Sequence, residues 1–106
     1  MEYDNFFVPG SDYTVITNNI YRMGKRVFGN FVIQKNAGYF SSEQETIGST
    51  PSKMRGVTNT GCFMSDDTWK VKDAGYVYMS LSSVVVAYNG SQELNIAKIT
   101  FDVVLE

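Results

Sequence analysis

The stretch 95–106, "NIAKITFDVVLE", carries the cleanest alternation in the chain. Ala97, Ile99, Phe101, Val103 and Leu105 take every second place, and Lys98, Thr100, Asp102 and Glu106 fill most of the gaps. A period of two marks a β-strand with one face in a core and the other in water. A strand needs a neighbour, so the fold turns on what this one pairs with. Just upstream, "SSVVVAY" (82–88) leads into "NGSQ" (89–92), and Asn-Gly is a strong hairpin signal. The expectation is a closing hairpin about Asn89-Gly90. A two-residue turn or a four-residue loop there places Val84 and Val86 on the face of Ala97, Ile99 and Phe101.

Moving outward, "DYTVITNNIYR" (12–22) and "RVFGNFVIQK" (26–35) flank "MGK", a second strand–turn–strand signal. In the latter run Val27, Phe31 and Ile33 share one face, and Phe28 and Val32 the other, which predicts a strand covered on both sides. Gly29 within it marks a bulge or the close approach of another chain. Residues 44–61, "QETIGSTPSKMRGVTNTG", read as a long loop with one or two short strand pieces. "CFMS" and "WKVK" read as short strands about an Asp66-Asp67 turn. Asp73-Ala74-Gly75 reads as a turn before "GYVYMSL" (75–81), whose Val77, Met79 and Leu81 form the inward set. The sum is seven or eight strands with no crossover helix: an all-β, antiparallel β-sandwich, jelly roll or small barrel.

At 106 residues the chain has the length of one domain, and 43% hydrophobic residues suffice for a packed core. The net charge of −2 argues against a general nucleic-acid or anionic-membrane binder, because those use clustered Lys and Arg. Arg22, Lys25, Arg26 and Lys35 lie close in sequence, but alternation spreads them over two faces as solvated edges and turns. Cys62, the single cysteine, sits among apolar residues without a basic neighbour and reads as a buried structural thiol. The start, "MEYDNFFVPG", has no secretory signal pattern, and "VVVAY" is far short of a membrane span.

There is no histidine, which removes Ser-His-Asp and Cys-His nucleophile systems and most zinc sites. No Walker loop or G-x-G-x-x-G is present. The expectation is therefore a protein that is not an enzyme, without cofactor or metal. Asp66, Asp67, Asp73 and Asn59 lack the spacing of a calcium loop and read as turn formers. The rival is a carbohydrate-active enzyme, or the binding module of one, using two acids among Glu43, Glu45, Asp66 and Asp67. A third reading, an OB-like single-strand nucleic-acid module, suits the aromatics but clashes with the acidic balance. Tyr76 and Tyr78 alternate with the inward set and turn outward together, Trp69 shares a face with Val71, Tyr39 precedes the long loop, and Tyr88 stands at the hairpin tip. Such residues pack on sugar rings or fill protein interfaces.

Together "NNIYRMGKRVFGNFVIQ", "IGSTPSKMRG", "GYVYMSL" and "NIAKITFDVVLE" resemble the C-terminal head domains of phage and prophage tail-fibre and baseplate proteins. The resemblance covers residues 12–106. It lies in a strand pair over Tyr21–Val32, a turn carrying Ile47, Gly48, Pro51 and Arg55, a strand over Gly75–Met79, and the closing strand. One departure is Gly56, where the family often has Pro after the arginine. The resemblance implies a virion protein made in the host cytoplasm without a signal peptide. It also implies a homotrimeric head that binds a host cell-surface saccharide without inserting into a membrane. Residues 1–11 are then an arm whose Phe6, Phe7 and Val8 pack on a neighbour or lead to other tail or baseplate proteins. The ligand contacts expected are Tyr39, Asn59, Asp66, Trp69, Tyr76, Tyr78 and Tyr88.

Overall fold

The computed structural model describes residues 6–41 and 43–106. Among them, eight strands follow in order: β1 (Val8–Pro9), β2 (Tyr13–Met23), β3 (Arg26–Lys35), β4 (Glu45–Ser49), β5 (Val57–Ser65), β6 (Val71–Ser80), β7 (Ser83–Ala87) and β8 (Ile96–Val104). All pair antiparallel in one sheet of order β1-β4-β7-β6-β5-β8-β3-β2. The sheet curls until its ends approach. There Gly10 N–H donates to Ile47 C=O at 2.9 Å and Tyr13 N–H to Gly10 C=O at 3.1 Å. The antiparallel all-β class read from the alternation is the class observed, in the form of a nearly closed barrel.

The core follows the period of two. Val27, Phe31 and Ile33 of β3 and Ala97, Ile99, Phe101 and Val103 of β8 are buried, as are Val77 and Met79 of β6 and Val84 and Val86 of β7. Phe28 and Val32 are only half-buried, so β3 has one covered face rather than two. Its Gly29 marks neither a bulge nor the approach of another chain: β2 of the same chain lies close against it, with the ladder in regular register at that point. The bulge in this hairpin falls at Ile16 instead.

Phe6 and Phe7 also enter the core, 0% and 4% exposed, stacked on Phe101 and Phe31 with ring centroids at 5.0 and 4.7 Å. The expectation that they pack on another subunit is corrected: they fill their own. Residues 6–11 belong to the barrel, and residues 1–5 of the expected arm lie outside the described residues.

The closing hairpin is the largest correction. β7 pairs with β6 and β4, while β8 is set between β3 and β5. Residues 88–95 instead cross the end of the barrel. The crossing is held by buried Tyr88 and Leu94, by Phe40 N–H on Leu94 C=O at 2.9 Å, and by Asn95 N–H on Ser65 C=O at 3.1 Å. Asn89-Gly90 turns because it must wrap the Tyr88 ring, against which a side chain at Gly90 would collide. The two-residue hairpin lies at Leu81-Ser82, between paired Ser80 and Ser83. Leu81 therefore adopts φ +54° and is 58% exposed, not inward. Asp73-Ala74-Gly75 is strand interior, opposite Met64, Phe63 and Cys62. The expected loop 44–61 supplies all of β4 and half of β5, and Trp69-Lys70 precede β6 rather than forming strand.

A clasp joins the barrel's two edges. Lys35 Nζ lies 2.8 Å from Glu45 Oε1, and Tyr13 Oη donates to Glu45 Oε2 at 2.6 Å, tying β3 and β2 to β4. Both partners of the ion pair are largely covered. Burial and the neighbouring Glu45 carboxylate push the Tyr13 hydroxyl well above its ordinary range, so it stays a donor. Glu45→Ala strips Tyr13 of its acceptor and leaves Lys35, among the described residues, with only the Tyr39 carbonyl at 3.3 Å, and it should cost about 2 kcal/mol. Urea unfolding checks this, and an unchanged midpoint would show that the clasp adds nothing.

Candidate functional site

The site begins where the sheet splits. β8 pairs with β5 only from Ile96 to Ile99, opposite Ser65 to Cys62. The two segments rejoin at Met54–Leu105, with Arg55 N–H on Val104 C=O at 2.7 Å. Between these points residues 56–61 stand against residues 100–103, so the longer side bows away and a gap opens. Leu105 N–H turns the other way, to Lys25 C=O at 2.7 Å. Even-numbered residues of β8 therefore direct their main chain toward β5, and odd-numbered ones toward β3. Asp102 points its N–H and C=O into the gap.

An open cleft of about 450 Å³ occupies this gap, lined by Arg26, Phe28, Gly29, Asn30, Thr60, Thr100, Phe101 and Asp102. The β3–β8 register sets Phe28 opposite Asp102 and Asn30 opposite Thr100, all on the outer face. Arg26 grips Asp102 side-on: Nε donates to Oδ1 at 3.0 Å and Nη2 to Oδ2 at 2.7 Å. That grip holds the Asp102 carboxyl below the usual carboxylate range and the guanidinium above its own. Both side chains remain 54% exposed. The guanidinium also lies 4.7 Å above the Phe28 ring, and Tyr21 leans on that ring at 6.2 Å. The cleft thus sets a patch of aromatic carbon beside charged, amide and hydroxyl groups, the mixture a binding concavity needs.

No protein-family model, curated protein or solved structure matches this chain.

The expected contact residues fall into four places. Asn59, Tyr76 and Tyr78 do come together on the outer face, Asn59 opposite Tyr78 and Tyr76 opposite Gly61, next to the cleft wall at Thr60. Asp66 and Trp69 share one turn: Asp66 accepts from Thr68 and pairs with Lys72 at 2.9 Å, and Trp69, at φ +65°, donates its N–H to Asp66 C=O. Those hydrogen bonds and Lys72 hold the Asp66 carboxyl far below its ordinary range. Tyr39 is exposed on a separate connection, where its carbonyl accepts from Lys35. Tyr88 is the correction. It is 1% exposed, with its hydroxyl donating to Asp73 at 2.7 Å, and no ligand reaches it from outside.

Sequence reasoning missed Arg26, Phe28, Asn30, Thr60, Thr100 and Asp102. The wet face of residues 100–102 was legible from the alternation, but Phe28 was read as part of a second covered face of β3; that the two stretches lie side by side depends on the β3–β8 pairing, which the hairpin reading concealed. Three acids of the enzymatic rival are engaged elsewhere: Glu45 in the clasp, Asp66 with Lys72, and Asp67 with Gln34 and Asn95. Cys62 is buried as expected, and burial pushes its thiol up to about 11.

Proposed function

We propose that this chain is a saccharide-binding β-barrel head of the phage tail-fibre or baseplate kind, acting as a homotrimer in the virion. The observation that carries the binding part is the cleft at the split between β5 and β8. A sugar ring has an apolar C–H face and an equatorial belt of hydroxyls. Phe28, backed by Tyr21, offers carbon to the first, and Asn30, Thr100, Arg26 and Asp102 offer hydrogen bonds to the second.

The self-association part draws support from a separate surface. Phe63, 60% exposed, lies diagonally across the strand pair from Tyr76, and Val57 and Val71 are exposed at the ends of the same two strands. An outer sheet face this apolar suits burial against like copies. Three weak sites on one rigid assembly then gain avidity without new contacts.

Binding to a panel of soluble bacterial cell-wall polysaccharides, followed by calorimetry, tests the first part. Phe28→Ala and Asn30→Ala should each weaken the best ligand about tenfold. Undiminished binding in both variants would remove the cleft from the reading. Light scattering on a size-exclusion column tests the second, with a mass three times 11.9 kDa expected and a monomer at micromolar concentration counting against it.

A further inference from the structure

Resting on the saccharide reading, we infer that the cleft selects an uncharged sugar, whose adjacent hydroxyl pair bridges Arg26 and Asp102, and discriminates against acidic sugars. The inference comes from how the charge in the cleft is arranged. Among the described residues, Arg26 and Asp102 are the only charged ones lining it, and they neutralise each other through a side-on contact at 2.7–3.2 Å. A carboxylate or phosphate on a ligand would need Arg26 as its partner, but the Nε–H and one Nη2–H, its side-on fork, are already committed to Asp102. The Asp102 carboxylate would also stand against it as a like charge.

An uncharged diol meets no such conflict. Each hydroxyl both donates and accepts, so one can accept from the Arg26 Nη1 amino group while its neighbour donates to a remaining lone pair of Asp102. Nη1 has no protein acceptor among the described residues. The outer face adds Asn30 and Thr100 on the neighbouring register positions, and the main chain of Asp102 faces the same opening. These are groups that water satisfies in the free protein and that hydroxyls satisfy equally well. The arrangement therefore rewards a ligand dense in donors and acceptors and without net charge.

The test uses the full chain with four soluble probes at matched monomer concentration in 0.15 M salt: a β-glucan, an α-mannan, a galactan and polygalacturonate. At least one neutral polymer should bind at least tenfold more tightly than polygalacturonate. Asp102→Asn frees the guanidinium and should reverse the order, weakening the neutral ligand about tenfold and strengthening polygalacturonate by a similar factor. Circular dichroism of the variant verifies that the barrel is intact, and Arg26→Met, which removes the cation, should weaken the neutral ligand without any gain for the acid. If polygalacturonate binds the unaltered protein as tightly as the neutral polymers, the selectivity is overturned while saccharide binding stands. If Asp102→Asn leaves the order unchanged, the Arg26–Asp102 role is overturned. If no polymer of any kind binds, the saccharide reading falls and this inference with it.

Discussion

Gly29→Ala is expected to destabilise the protein by about 3–5 kcal/mol, the combined cost of backbone strain and a forced overlap in a packed sheet. At φ +140° this residue occupies a region that side-chain-bearing residues rarely enter. Space is equally restrictive. A methyl group there would run into the Asn19 carbonyl oxygen and approach Ile20 Cα to 3.0 Å. Both neighbours are backbone of β2, which cannot rotate aside as a side chain would. β2 must move away from β3, or Gly29 must change conformation and disrupt a ladder that runs from Arg26 to Gln34 against β8. Against a total stability of about 5–15 kcal/mol, that loss is severe. The melting temperature should fall by roughly 15–30 °C. Thermal and urea unfolding measure it, and a loss under 1 kcal/mol would mean that the close approach of β2 and β3 is not as described.

The second large effect belongs to the residues before the first long strand. Four rings form a chain through the core: Phe6 stacks on Phe101, Phe101 meets Phe31 edge-on at 5.8 Å, and Phe31 stacks on Phe7. Phe6→Ala or Phe7→Ala empties a fully enclosed site and should cost about 3–5 kcal/mol each. The double variant loses about 6–10 kcal/mol against that total of about 5–15 kcal/mol, so a large fraction of it should be unfolded at 25 °C. A double-mutant cycle between Phe6 and Phe101 should return a coupling of about 0.5–1.5 kcal/mol. If instead these residues were an attachment arm, both single variants would unfold at the midpoint of the unaltered protein, and only assembly would suffer.

These two results bear on function because the cleft sits on the same framework. Gly29 and Phe101 line it, and the ring chain lies beneath it. The split between β5 and β8 survives as a defined opening because pairings on either side hold its ends: Cys62–Ile99 at one, Met54–Leu105 at the other.

Much of this was readable from local pattern. Alternation in residues 95–106 identified the buried side chains of β8 from Ala97 to Val103 even though the partner strand was misassigned, and it missed only Ile96, which is buried out of step at the start of the strand. The "MGK" turn set the β2–β3 hairpin. Val77 and Met79 pointed inward and Tyr76 outward, as the period of two requires. Asn89-Gly90 failed as a guide because Asn-Gly favours a tight turn wherever the chain must bend, and here it bends around Tyr88 rather than between paired strands. Leu81-Ser82 gave no warning, since leucine carries no preference for the positive φ that this turn imposes.

By itself the amino-acid sequence determined an antiparallel all-β chain, the core-facing residues of β3, most of those of β8 and the burial of Cys62, because each depends on residues a few places apart. Only the tertiary structure decided that β8 lies between β3 and β5, that Phe6 and Phe7 complete the core, and that Arg26, Phe28, Asn30, Thr100 and Asp102 share a cleft. Those facts join segments some seventy residues apart. The choice among partners there depends on how all the buried faces fill one volume together, which no local pattern encodes.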